Sequence, residues 1–168
     1  MSKMSYTQIY EKVADIVKGP VGHNILDVSP EIDENEGDFQ KGVFGYLDPS
    51  SGKFKLGCTA TSMGMMALYD SGDFGIATDP NKRNVAGGKM LCVVCSGGYE
   101  IRTNQFVNDT YHYNDALTVE NTGDDKGKLK KGTVYQDNVV AIVSKPPESN
   151  EYGVSVITAW TIYLPKHG

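Results

Sequence analysis

Residues 89–107 read KMLCVVCSGGYEIRTNQFV, residues 108–132 read NDTYHYNDALTVENTGDDKGKLKKG, and residues 133–144 read TVYQDNVVAIVS. This stretch decides the fold. It opens with an apolar run ending at Cys95, breaks at Ser96-Gly97-Gly98, and alternates from Tyr99 to Val107. A short segment at 116–119, a charged turn and a second apolar run at 139–143 follow. Runs this short, rich in β-branched and aromatic residues and cut by Gly, Asn and Asp, predict strands joined by turns. The stretch carries no set of groups suited to catalysis.

The strand pattern extends in both directions. On the N-terminal side, Gly42-Val-Phe-Gly-Tyr-Leu and Lys53-Phe-Lys-Leu flank Asp48-Pro-Ser-Ser-Gly52, a loop of turn-forming residues, which predicts a hairpin. Residues 59–69 hold Met63, Met65 and Met66, whose flexible thioethers suit a core gap or a subunit contact. A turn at 70–73 leads to a short strand, Phe74-Gly-Ile-Ala, and then to a polar loop over 79–84. On the C-terminal side, 146–152 reads as a loop. Residues 154–164 (VSVITAWTIYL) place Val154, Val156, Thr158, Trp160, Ile162 and Leu164 on one face. The other face carries Ser155, Ile157, Ala159, Thr161 and Tyr163. Both faces accept burial, so this is the closing and central strand. Eight to ten strands spaced by turns predict a mainly β fold, a small β-barrel or β-sandwich, in one domain over 41–168.

Residues 1–40 differ. Between 5 and 18, Tyr6, Ile9, Tyr10, Val13, Ile16 and Val17 recur at helical spacing, Ser5 and Gln8 fit a capping box, and Gly19-Pro20 stops the pattern. A short amphipathic helix is expected, too short to be stable unless its apolar face packs on something. Residues 21–40 lack a sustained period and carry Asp27, Glu31, Asp33, Glu34, Glu36 and Asp38, the composition of a solvated or partner-facing acidic arm. A calcium loop is excluded, because counting from Asp33 puts Asp38 where an EF-hand needs glycine.

Composition narrows the function classes. With 168 residues the chain builds one well-buried core. A net charge of −5 argues against general nucleic-acid binding, which needs a basic face. No apolar run approaches the roughly 20 residues that span a bilayer, and the first residues lack the apolar centre of a secretory signal. The expectation is a soluble protein made in the cytoplasm, without membrane or nucleic-acid partners. Asn108-Asp-Thr110 matches a glycosylation sequon, but without a secretory signal it carries little weight.

The motifs that invite chemistry are few. Cys92-Val-Val-Cys95 lacks the second ligand pair a zinc site needs, since Cys58, His23, His112 and His167 are scattered. It also lies in a predicted strand rather than at the helix N-terminus that would activate a redox cysteine. Three cysteines imply no disulfide framework, and buried free thiols are expected. Three isolated histidines leave few general bases, and there is no G-x-S-x-G elbow. The four lysines between Asp124 and Gly132 lack Walker spacing and read as a solvated hairpin tip. Tyr111, Tyr113, Tyr135, Tyr152 and Trp160 could stack on sugars, which keeps a carbohydrate-binding module as an alternative. No catalytic, cofactor or metal residues are assigned.

The layout over Gly97-Gly-Tyr-Glu-Ile-Arg-Thr-Asn-Gln-Phe106, Tyr113-Asn-Asp-Ala-Leu-Thr-Val-Glu-Asn, Lys131-Gly132 and Asn138-Val-Val-Ala-Ile-Val143 resembles the head decoration (capsid cement) and minor structural proteins of tailed phages. The last hydrophobic strand would be 154–164. The resemblance covers roughly the C-terminal half. It implies a small β-barrel or β-tulip body with an arm, bound to the capsid exterior, often as a homotrimer, with the major capsid protein as partner and no catalytic residues. The region 1–40 is longer than in the smaller members. Tyr6, Ile9, Tyr10 and Val13 are the expected partner-contact face. A tail or baseplate component of similar build is the neighbouring alternative.

Overall fold

A computed structural model describes residues 12–19, 27–71, 92–94 and 97–168. Eleven strands are present among them: β1 (Ala14–Lys18), β2 (Asp27–Val28), β3 (Phe44–Leu47), β4 (Phe54–Leu56), β5 (Met65–Ala67), β6 (Cys92–Val94), β7 (Glu100–Thr103), β8 (Ala116–Val119), β9 (Leu129–Lys131), β10 (Val139–Ser149) and β11 (Ser155–Leu164). They form two antiparallel sheets. The larger has the order β1-β7-β11-β10-β8-β9, and the smaller β2-β6-β5-β3-β4. Neither sheet closes on itself. The architecture is that of a β-sandwich rather than a barrel.

The core explains why the sheets face each other. Phe44 and Met66 of the smaller sheet meet Ile101, Leu117, Leu129, Ala141, Val143, Ile157 and Ala159 of the larger one in a single buried cluster. The opposite face of the smaller sheet is buried too. Val43, Phe54, Leu56, Met65, Ala67 and Cys92 pack there under Ile32 and Phe39. Burial on both faces explains why all three residues of β5 are apolar and inaccessible.

Several elements form as the sequence predicts. The β3–β4 hairpin is closed by Asp48, whose N–H donates to Lys53 O at 2.9 Å and whose Oδ2 accepts from the Ser51 hydroxyl at 2.9 Å. β11 pairs with β10 on one side and β7 on the other, so it is interior to its sheet. Of the methionines, Met65 and Met66 are core residues, whereas Met63 is exposed. The strand expected at 74–77 and the loop at 79–84 lie outside the described residues.

Three expectations need correction. The helix expected over 5–18 does not form over 14–18: these residues are strand β1, and residues 5–11 lie outside the described set. β1 pairs with β7, Ala14 opposite Thr103 and Ile16 opposite Ile101, so Ala14 and Ile16 turn their side chains onto the core. Pairing and burial along a sheet edge outweigh a helical spacing too short to be stable alone.

The acidic segment is, over residues 27–40, built into the body rather than extended as an arm. Asp33 N–H donates to Phe54 O (3.0 Å) and Phe54 N–H to Glu31 O (2.8 Å). Lys53 is paired with Glu34, Lys55 lies between Asp48 (3.3 Å) and Asp33 (3.9 Å), and Lys126 reaches Glu36 at 3.1 Å. The acids answer lysines of the same body, and Ile32 and Phe39 anchor them.

The loop expected at 146–152 begins four residues later than expected, because β10 continues through Pro146 and Pro147 to Ser149. Proline is tolerated there for two reasons. β8 pairs with β10 only at Ala141 and Ile142, so one side of β10 is open beyond that point, and the β10–β11 ladder shifts register around Lys145.

One junction holds the two sheets in register. Gly42 N–H donates to Ala67 O (2.8 Å), and Thr103 Oγ1 donates to Gly42 O (2.9 Å), linking the smaller sheet to the larger. Gly42 has φ +94°, and a Cβ built there would lie 2.3 Å from Thr103 Oγ1 and 2.6 Å from Val13 O. Only glycine fits this position.

Candidate functional site

Two surface features stand out. The first is the outward face of the larger sheet. One cross-strand row runs Lys18, Glu100, Trp160, Ile142, Ala116 across β1, β7, β11, β10 and β8. Their neighbours Ile101, Ala159 and Ala141 point into the core, so this row points away from it. Trp160, the single tryptophan, is 39% exposed, and Ile142 and Ala116 are half-buried. The middle of the row is apolar, with charge at its β1 end.

The second is a cleft of about 680 Å³ where the segment before β3 meets the β8–β9 turn. Phe39, Val43 and Leu56, all buried, form its apolar lining. Asp38, Gln40, Gln105, Asp124, Lys126 and Lys128 supply its polar lining. The turn is fastened to the body, with Phe44 N–H donating to Gly127 O at 2.7 Å and Lys126 Nζ contacting both Glu36 oxygens at 3.1 and 3.2 Å. The hairpin tip over 124–132 is thus less solvated than its composition suggests: Leu129 is fully buried, and each of the four lysines has a carboxylate within 4 Å. These pairings weaken the hairpin as an anion site.

Of the expected contact residues, Tyr6, Ile9 and Tyr10 lie outside the described residues. Val13 is buried, and its N–H donates to Asn104 Oδ1 at 3.2 Å. Cys58 is a buried free thiol and Cys92 is buried; Cys95 lies outside the described set. Cys92 sits in β6 with Sγ 3.5 Å from Val28 O. Among the described residues no three His, Cys, Asp or Glu side chains are placed to hold a metal ion. His112 is exposed, with Nδ1 3.6 Å from Asp115, and His167 lies against the Tyr135 ring at 4.3 Å. His23 is outside the described set.

The aromatics weighed as sugar stackers do not share one environment. Tyr111 is buried: its hydroxyl donates to Val107 O at 2.6 Å, and its ring meets Phe106 edge-on. Burial, and then the Asp109 charge, pushes its phenol up to about 12. Tyr113, Tyr135, Tyr152 and Trp160 are exposed, in the loop before β8, the turn before β10, the β10–β11 turn and β11 respectively. The Asn108 sequon lies on an exposed loop.

The pairing of Gln40 with Gln105 in the cleft had no signature in the sequence, because 65 residues separate them. Alternation grouped Trp160 with one face of β11, but did not show which face would be covered.

Fold and surface together define a two-sheet antiparallel β protein with an apolar outer strip and a polar-lined cleft. Comparison with family models and with curated proteins finds no match.

Proposed function

We propose that this chain is a structural protein of a tailed-phage virion, a cement or decoration protein that binds and stabilises the capsid exterior without catalysis. The observation that carries the reading is the outward row of the larger sheet, with Trp160, Ile142 and Ala116 at its middle. An apolar strip on a well-paired sheet suits docking onto a repeating shell, and tryptophan is enriched at the centres of such contacts.

The strand layout that motivated the resemblance supports the reading further. Residues 116–164 run as one antiparallel set in which β9, β8, β10 and β11 are neighbours. In this proposal the partner is the major capsid protein, the chain acts as a homotrimer, and Tyr6, Ile9 and Tyr10 add contacts ahead of β1.

The test is to mix purified protein with undecorated expanded capsids and follow co-sedimentation and capsid melting. Saturable binding at symmetric sites with a raised capsid melting temperature is expected. Removing residues 1–11 leaves β1 intact and should weaken attachment. Absence of binding, or rings and tubes formed by the protein alone, would replace the capsid reading with a tail or baseplate role.

A further inference from the structure

We propose that the outward face of the larger sheet is a self-association surface, on which two copies of the free chain pack face to face about a two-fold axis. This concerns the protein off the shell and goes beyond the capsid reading. A second copy and a shell would compete for the same strip.

Two neighbouring rows carry the pattern. The first is Lys18, Glu100, Trp160, Ile142 and Ala116. The next row along the strands is Asp15, Arg102 and Thr158, on β1, β7 and β11. It points outward as well, because the flanking Ala14, Ile16, Ile101, Ile157 and Ala159 pack into the core. On β1 the first row is positive and the second negative; on β7 the order is reversed. Asp15, Lys18 and Arg102 are exposed and Glu100 is half-buried. None of these four side chains is in an ion pair among the described residues.

Sheets that pack face to face sit about 10 Å apart, with their strands within about 30° of each other. A two-fold axis between two copies of this sheet, parallel to the rows and midway between them, lays each row over the other row of the second copy. Lys18 then faces Asp15 of the second copy, Glu100 faces Arg102, and Trp160 faces Thr158, each contact being made twice. Trp160, 39% exposed in the single chain, becomes covered.

The alternation of sign selects this occupant. The two rows hold two positive and two negative charges, and Lys145, opposite Thr158 on β10, is already paired with Glu148 at 2.9 Å. A phosphate-bearing or uniformly acidic partner is attracted by two of the four charges and repelled by the other two. A second copy satisfies all four. Patch size sets the strength. β1 and β7 contribute five and four residues. At about 3.3 Å per residue and about 4.8 Å between strands, the face spans roughly 15 by 20 Å. That falls short of the about 800 Å² per partner of a stable complex, so the dimer is weak and reversible, populated at about 100 µM and above.

Sedimentation equilibrium of the full chain from about 10 µM to about 1 mM at low salt should show a monomer–dimer equilibrium, weakened at least about threefold by about 0.5 M NaCl. Arg102→Glu sets two carboxylates together at each Glu100 contact, and Glu100→Arg sets two cations together. Each variant alone should associate at least about tenfold more weakly. An equimolar mixture of the two restores opposite charges at both contacts and should form a heterodimer within about threefold of the wild-type affinity. A folding defect in either variant cannot produce that rescue. Lys18→Glu and Asp15→Lys give the same paired test at β1. Trp160→Ala should weaken association about tenfold with its salt dependence unchanged. A chain monomeric at about 1 mM, a trimer, a dimer indifferent to the single reversals, or mixtures that fail to associate at both strands would each overturn the inference.

Discussion

Gly42→Ala is the sharpest test of how the two sheets are joined. The new methyl group would need a left-handed backbone, φ +94°, which costs an L-residue about 1–2 kcal/mol. It would also sit 2.3 Å from Thr103 Oγ1 and 2.6 Å from Val13 O. The second neighbour is backbone and cannot rotate away, so relief means moving β1 or breaking the Thr103–Gly42 hydrogen bond. Overpacking of this kind adds about 1–3 kcal/mol, for a total of roughly 2–5 kcal/mol. For a chain this size that lowers the melting temperature by about 5–20 °C.

Two control glycines separate the contributions. Gly52 has φ +69° and open space around its missing Cβ, so Gly52→Ala should show only the backbone cost. Gly37 has neither a positive φ nor a neighbour within 4 Å, so Gly37→Ala should be neutral or stabilising by up to about 1 kcal/mol. Urea unfolding followed by far-UV circular dichroism gives all three values. If Gly42→Ala falls within about 0.5 kcal/mol of Gly52→Ala, the close junction between the sheets is not as described.

Tyr111→Phe should cost about 1 kcal/mol at pH 8 by leaving Val107 O without its donor. Because the folded phenol is raised to about 12, its stabilisation is complete below pH 10 and is lost as pH climbs toward 12. The gap between wild type and variant should therefore narrow at pH 11, and a constant gap would contradict this. At the acid end, Asp33 is held low by the Asn35 N–H, Asp48 by the Ser51 hydroxyl, Asp115 by the His112 N–H and Glu120 by Lys130. Depressed carboxylates stabilise above their unfolded values and lose that contribution as pH falls through the folded ones. The urea midpoint should hold above about pH 5 and drop below about pH 4, and a flat profile down to pH 3 would refute the assignment. Trp160→Glu should leave the fold intact while reducing capsid attachment at least tenfold. In the wild type, tryptophan emission should shift to the blue on binding; an unshifted spectrum with full binding would place the contact elsewhere.

Which parts of the molecule were readable depends on how local their causes are. β8, the β3–β4 hairpin and the central position of β11 follow from alternation, turn residues and an apolar pattern on both faces, all short-range properties. β1 was misread because its apolar residues continue the helical spacing read over 5–18, and the deciding contact, β7, lies over 80 positions away. The reach of β10 through Pro146 and Pro147 depended on where β8 stops pairing. In the cleft, Phe39 and Leu56 were visible as apolar residues, but nothing local brings Gln105 to Gln40 or Glu36 to Lys126.

The sequence by itself determined that the chain is mainly β, where most turns fall, and that its cysteines and histidines form no clustered motif. These follow from residue-by-residue preference and two-residue alternation, which act along the chain. Only the tertiary structure decided that the strands divide into two open sheets, that the acidic segment folds back onto lysines of its own body, and which side of β11 leaves Trp160 outward. Those outcomes rest on pairing and burial between distant segments, whose energies no stretch of sequence carries alone.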